Sequence, residues 1–207
     1  MTSIFLIRHG ENVDGKIDDK GPNVDLGLSA AGQAQTERLC RRLQSSKQLN
    51  VQAILTSPER RAAETARRIA ATLELPERAS PQFEEWRSDD GSIEPEEFMS
   101  RWKALPEAER AHYRILPNSE TQAEFFVRVG SALQTVANQF KDQSVAVVTH
   151  GGVIQAAFHH FFGFGDAAFR RAYPAATHTS ISHWRLESGS NRWALEFSND
   201  ASHLRDV

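Results

Sequence analysis

Two histidines stand in matching surroundings. Arg8, His9, Gly10 and Glu11 follow directly on the apolar run Ser3 to Ile7, and Thr149, His150, Gly151 and Gly152 follow on Ser144 to Val148. These residue types suit a phosphorylated ligand. A guanidinium offers a fork of donors matched to phosphate oxygens, an imidazole can attack phosphorus, and glycine lets the backbone come close to a ligand. A histidine placed just before a helix also sits where free backbone N–H groups and the partial positive helix end meet an anion. Each cluster alone reads equally well as scaffold: Arg8 can pair with Glu11, and His9 can be structural. Two such histidines at two strand ends of one sheet point to chemistry.

A third cluster runs Ser57-Pro58-Glu59-Arg60-Arg61-Ala62-Ala63-Glu64-Thr65-Ala66. Arginines on an amphipathic helix are mostly solvated or paired with a nearby carboxylate. Arg61 lies beside the Ala62 and Ala66 stripe, so it can either reach across the strand ends or make such a pair; spacing leaves both open, and Arg60 points elsewhere. The adjacent His159 and His160 diverge by about 100° on a helix, which does not suit one metal ion, and they read as structural.

The elements that must position these groups follow from patterning. Ser3 to Ile7 predicts a buried strand, followed by a polar, glycine-containing loop. Ser29 predicts the cap of a helix carrying Ala31, Ala34, Leu39 and Leu43. Val51 to Leu55 predicts a strand, and Ser57 with Pro58 a helix start, with the helix reaching about Leu73. From Pro76 to Pro117 a charged, proline-punctuated stretch carries Trp86, Phe98 and Trp102, with a helix from about Pro95 to Leu105; it reads as a cap over a site. A long helix from about Thr121 to Phe140, a strand from Ser144 to Val148 and an apolar helix from Val153 to Phe162 come next. Ser180 to Leu186 and Trp193 to Phe197 alternate like half-exposed strands. The expected fold is α/β: a three-layer αβα sandwich with a mostly parallel central sheet, one domain over 1–207 with a small cap insertion at about 76–117. Ligands in such folds bind outside the carboxyl ends of the strands.

Composition narrows the partners. The 207 residues are 40% hydrophobic and 25% charged, which suits one globular domain. The single cysteine, Cys40, excludes a disulfide framework and a cysteine metal site, and the expected home is a reducing cytoplasm. No signal peptide is apparent, and no apolar stretch approaches the roughly 20 residues of a membrane span. With 24 basic against 27 acidic side chains, the net charge of -3 offers no general attraction for nucleic acid or an anionic membrane. Phosphate binding must be local, and the expected partner is a small phosphorylated substrate. Oligomeric state is left open.

Together the motifs resemble the histidine phosphatase superfamily, the phosphoglycerate mutase-like family. Arg8-His9-Gly10-Glu11 matches the signature around the nucleophile, and Leu28-Ser29-Ala30-Ala31-Gly32 with Gln35 matches the Leu-Ser/Thr-x-x-Gly-x-x-Gln element. Ser57-Pro58 with Arg61-Ala62 and Thr65-Ala66 matches the segment of the second phosphate arginine. Ser119-Glu120-Thr121 with Glu124-Phe125 and Arg128-Val129 is similar to the Gly-Glu-Ser element, and Thr149-His150-Gly151-Gly152 matches the second histidine. The resemblance implies that His9 becomes a phosphohistidine, while Arg8, Arg61, His150 and the Gly151 amide hold the phosphoryl oxygens, with neither metal nor other cofactor. It places the proton-donating acid at Glu85 of Phe83-Glu84-Glu85, with Glu84 as its neighbouring alternative. The implied activity is hydrolysis of a small phosphomonoester. The alternatives are phosphoglycerate mutase-type transfer, or a catalytically impaired module that binds a phosphate ligand or protein. The chain departs from the family pattern at three places. Gly15 replaces an asparagine, leaving Asn12 as a substitute donor; Trp86-Arg87-Ser88-Asp89-Asp90-Gly91 replaces a Gly-x-Trp-Glu-Gly run; and His178 stands where another asparagine is expected.

Overall fold

The apolar run after Thr2 forms strand β1 (Ser3–Arg8), whose alternate residues serve two cores: Ile4 and Leu6 pack on one side, Phe5 and Ile7 on the other. A strand covered on both faces needs apolar residues at every position, which is why it reads as a run rather than an alternation. The structure, a computed structural model, describes residues 1–16, 23–88, 92–164 and 172–205, without the side chains of Lys16, Asn23 and Pro95.

The segment expected to be a loop is a hairpin, β2 (Asn12–Lys16) and β3 (Asn23–Leu28), paired antiparallel as a small separate sheet. Its polar, glycine-bearing residues carry no core-facing run, so no pattern advertised it. Helix α1 (Ala30–Ser46) starts at Ser29, whose hydroxyl accepts from the Gly32 amide. After β4 (Ala53–Thr56), helix α2 (Arg60–Leu73) begins later than the Ser57-Pro58 signal suggested: Glu59 is its N-cap, and Ser57 Oγ accepts from the Glu59 amide in the turn before it. Strand β5 (Glu77–Ala79) lies inside the stretch read as an insertion and extends the main sheet beside β4. Helix α3 (Pro95–Ala104) follows, then α4 (Gln122–Gln139), fixed at its start by a reciprocal capping box between Thr121 and Glu124. Strand β6 (Ser144–Thr149) leads into α5 (Gly151–Phe162), with His150 as the N-cap, two residues earlier than patterning placed the start. Strands β7 (Ile181–Leu186) and β8 (Trp193–Asp200) close the chain, the last reaching three residues beyond Phe197.

The main sheet has the order β5-β4-β6-β1-β7-β8. The first four run parallel, β7 runs antiparallel to β1, and β8 antiparallel to β7. Leu39 and Leu43 of α1 and Ile69 of α2 pack on one face with Phe5 and Ile7; Val129 and Leu133 of α4 and Val153 and Ile154 of α5 pack on the other with Ile4 and Leu6. This is the expected three-layer αβα sandwich. Because the helix after β6 goes to one face and α1 to the other, a crevice opens between the carboxyl ends of β1 and β6. Arg8 pairs with Thr149 in that register, so His9 and His150 emerge side by side.

The turn after β1 is held by close backbone approach. A Cβ at Gly10 would lie 2.6 Å from Gly32 O, and one at Gly32 would lie 1.9 Å from Glu11 O. Ser29 donates its hydroxyl to Glu11, and Gln35 accepts from the Glu11 amide. The Leu-Ser-x-x-Gly-x-x-Gln spacing is thus the spacing of one helical face gripping the residue two after His9. Gly32→Ala is expected to lower stability by about 2 kcal/mol or more through this overlap, and to displace His9; urea unfolding together with phosphate binding by the variant checks both.

Candidate active site

His9 is 4% exposed, and its Nδ1 lies 2.7 Å from Gly10 O. A carbonyl can only accept, so Nδ1 carries the proton and Nε2 keeps its lone pair free for attack. Burial pushes the imidazole down to about 2, helped by His150, Arg61 and Arg8 and opposed by the bond to Gly10. His9 is therefore neutral in the folded protein at any ordinary pH. The ring of His150 lies 5.1 Å away, centroid to centroid, and is wholly buried. Arg61 Nε donates to His150 Nδ1 at 3.2 Å, which leaves the His150 proton on Nε2.

The two arginines meet at the same crevice. Arg8 donates Nη1 to Ala176 O at 2.5 Å and lies against Gly151, where a Cβ would come 3.6 Å from its Nε. Arg8 Nε is buried and has no hydrogen-bond partner among the described residues. A buried guanidinium N–H left open is costly, and an anion satisfies it. Arg61 is held by Asp25 and Glu59: each carboxylate lies 3.2 Å from one of its terminal nitrogens, and Asp25 also accepts from the Arg61 amide. Glu59 Oε2 further sits 2.5 Å from His150 Nε2, at an angle outside a regular hydrogen bond. Patterning did not name Asp25, which lies in the unadvertised hairpin; Glu59 stood in the third cluster without a role of its own.

Glu85 faces the site through α5. Its carboxylate accepts from the Gly152 and Trp86 amides, each at 3.0 Å, and a Cβ at Gly152 would sit 2.2 Å from Glu85 Oε1. With Arg8, Gly151, Gln155 and Thr177 it lines a cavity of about 430 Å³. Glu84 pairs instead with Arg87 at 2.7 Å. The Asn12 amide donates to Asp14, so this candidate donor is engaged within the hairpin. The ring of His178 lies 5.6 Å from the His9 ring, tilted by 47°, which places the departure from the family pattern beside His9. Asp89, Asp90 and Gly91 lie outside the described residues. Trp86, next to Glu85 in the chain, meets Phe98 and Trp102 of α3 at 5.8 and 5.2 Å, so the aromatic residues of the stretch 76–117 cluster together.

The loop bearing Glu85 is clamped from α4. Arg128, 10% exposed, forms a forked pair with Glu120 and donates to the carbonyls of Gln82, Glu84 and Glu85. Arg128→Ala is expected to cost about 3 kcal/mol by stranding Glu120. Arg128→Lys keeps the charge but loses the fork, and should lower kcat more than it raises KM.

Burial also lowers His160, His178, His183 and His203 below the ordinary imidazole range, so these too are held neutral. The unfolded chain binds protons to these groups below about pH 6.5 and the folded one does not, so stability falls as pH falls from there. His9 alone contributes about 1.4 kcal/mol per pH unit until its own pKa is reached. Glu59, held at about 2, adds a further loss below about pH 4.5. Urea midpoints measured from pH 8 to 5 should drop, and His9→Gln should flatten the slope.

Comparison with known proteins agrees with this geometry. The sequence pattern of the histidine phosphatase superfamily (branch 1) is matched by residues 4–201. The chain is 29% identical to Phosphoglycerate mutase-like protein 4 of Arabidopsis thaliana, over 99% of this chain and 87% of that protein. It is 28% identical to a Metal-independent phosphoserine phosphatase of the same plant, over 100% of this chain and 85% of the relative. The solved structure of Bacillus stearothermophilus YhfR superposes with a TM-score of 0.76 at 22% identity, covering 99% of this chain and 100% of that one, and shares the fold. With that pattern matched from residue 4 to residue 201, the chain belongs to the histidine phosphatase superfamily.

Proposed function

We propose that this protein is a phosphatase that hydrolyses a small phosphomonoester through a phosphohistidine on His9. The observation that carries this reading is the neutral, Nδ1-protonated His9 set beside the unpartnered Nε–H of Arg8. The free Nε2 of His9 attacks phosphorus, and the bond from phosphorus to the leaving oxygen breaks in line with it. Arg8, Arg61, His150 and the Gly151 amide at the start of α5 hold the equatorial oxygens as charge spreads over them. Glu85 gives its proton to the leaving oxygen, then takes one from the water that attacks the phosphohistidine. Inorganic phosphate is released and His9 is restored. Arginines and N–H groups supply all the positive charge in this scheme, which makes it metal-independent, as the name of the second relative says of that enzyme.

The supply of side-chain cations predicts hydrolysis of p-nitrophenyl phosphate in excess chelator, abolished in His9→Ala; activity retained by that variant excludes the phosphohistidine route. Glu85→Gln should lower kcat by about 10²- to 10⁴-fold for an alkyl phosphate, whose leaving oxygen needs the proton, and by far less for p-nitrophenyl phosphate. If Glu84→Gln shows the leaving-group dependence instead, the acid is misassigned. The mutase-like relative favours a second reading, in which His9 returns the phosphoryl group to a sugar acid; isomerisation of phosphoglycerate faster than its hydrolysis would establish that one.

A further inference from the structure

Glu59 is the N-cap of α2, yet its side chain makes no capping bond. It turns into the crevice, where Oε2 lies 2.5 Å from His150 Nε2 and 3.2 Å from Arg61 Nη2, and accepts from the Glu85 amide at 3.1 Å. Ser57 Oγ is 3.5 Å away on the side of β4. One carboxylate oxygen thus lies within reach of N–H groups from α2, from the cap of α5 and from the loop of Glu85. A phosphoryl oxygen seeks such a set of N–H groups, and two of these donors, His150 and Arg61, hold the phosphoryl group in the reaction above. A second anion cannot share them at hydrogen-bond distance without placing two negative oxygens in contact.

We propose that Glu59 is an internal competitor for the phosphoryl site, releasing His150 and Arg61 when a phosphomonoester binds and reclaiming them as inorganic phosphate leaves. The inference rests on the phosphatase reading of the site and adds to it the residue that sets phosphate affinity. Surrounding charges support displacement rather than simple addition. Arg61 is already shared with Asp25 of β3, and burial holds His9 neutral. With Arg61 divided between Asp25 and Glu59, an entering phosphate meets the full share of that guanidinium only once Glu59 withdraws. Burial by itself pushes the Glu59 carboxyl up, but His150, Arg61 and the Glu85 amide outweigh it and hold the group at about 2. The contest at neutral pH is therefore between two anions. Its chemical use is product release: phosphate bound by the donors that stabilise the transition state would otherwise dissociate slowly.

The test titrates inorganic phosphate, and separately orthovanadate, into wild-type protein, Glu59→Gln and Glu59→Ala by calorimetry, with thermal melts to confirm that each is folded. Both variants are expected to bind phosphate at least about tenfold more tightly, the equivalent of about 1.4 kcal/mol, with the inhibition constant for product phosphate falling in parallel. If Glu59 merely props Arg61 and His150 in place, binding is unchanged or weaker in both, which overturns the proposal. Should Glu59→Ala not fold, Glu59→Gln, which keeps the shape of the side chain, decides alone. If neither wild type nor variants bind phosphate or vanadate, the phosphate-site reading fails and the competitor with it. Equal binding by all three proteins removes only the competitor.

Discussion

The site depends first on the parallel pairing of β1 with β6. Arg8 lies opposite Thr149 in that register, and the His9 amide donates to Thr149 O at 2.9 Å, so two histidines distant in sequence leave the sheet together. A shift of one residue in either strand would turn its whole set of side chains to the other face. Such a slip is opposed by both cores at once, because Ile4 and Leu6 belong to one and Phe5 and Ile7 to the other. Burial of the strands on both faces is what makes the catalytic register hard to lose. The chemistry inherits its precision from hydrophobic packing.

Around this pair the supports are mostly backbone. Thr179, at a φ of 58°, offers its amide to the carbonyls of Arg8 and His9 from one side, while Ser29, Gly32 and Gln35 hold Glu11 from the other. His9 sits in a turn fixed at both ends, and its own Nδ1 is committed to Gly10. A ring with one nitrogen anchored has little freedom beyond small rotations, so the free nitrogen is aimed before any ligand arrives.

How much of this was legible in the sequence depended on how local the signal was. His9, Arg8 and His150 stood out because residue type, strand end and following glycine occur within a few positions, and the αβα class followed from strands and helices in alternation. Arg61 was ambiguous until set beside the family pattern, since its partners Asp25 and His150 lie far away in the chain. Asp25, on a polar hairpin, left no such trace, while Glu59, Glu120 and Arg128 stood inside the motifs without a role, because a helix cap that does not cap and an arginine on a long helix show their partners only in the fold. The hairpin and β5 escaped for a related reason. Short polar strands owe their existence to a neighbour, and periodicity registers only burial.

The grip of Arg128 on residues 82 to 85 acts on carbonyl oxygens, which every residue possesses. The path of that loop is consequently indifferent to most of its side chains. Glu85 is held by the amides of Gly152 and Trp86, again groups that no substitution short of proline removes. The neighbours of Glu85 are therefore free to change while its carboxylate stays where it is. A fold built this way can vary the side chains around its crevice while the backbone that holds Glu85 keeps its course.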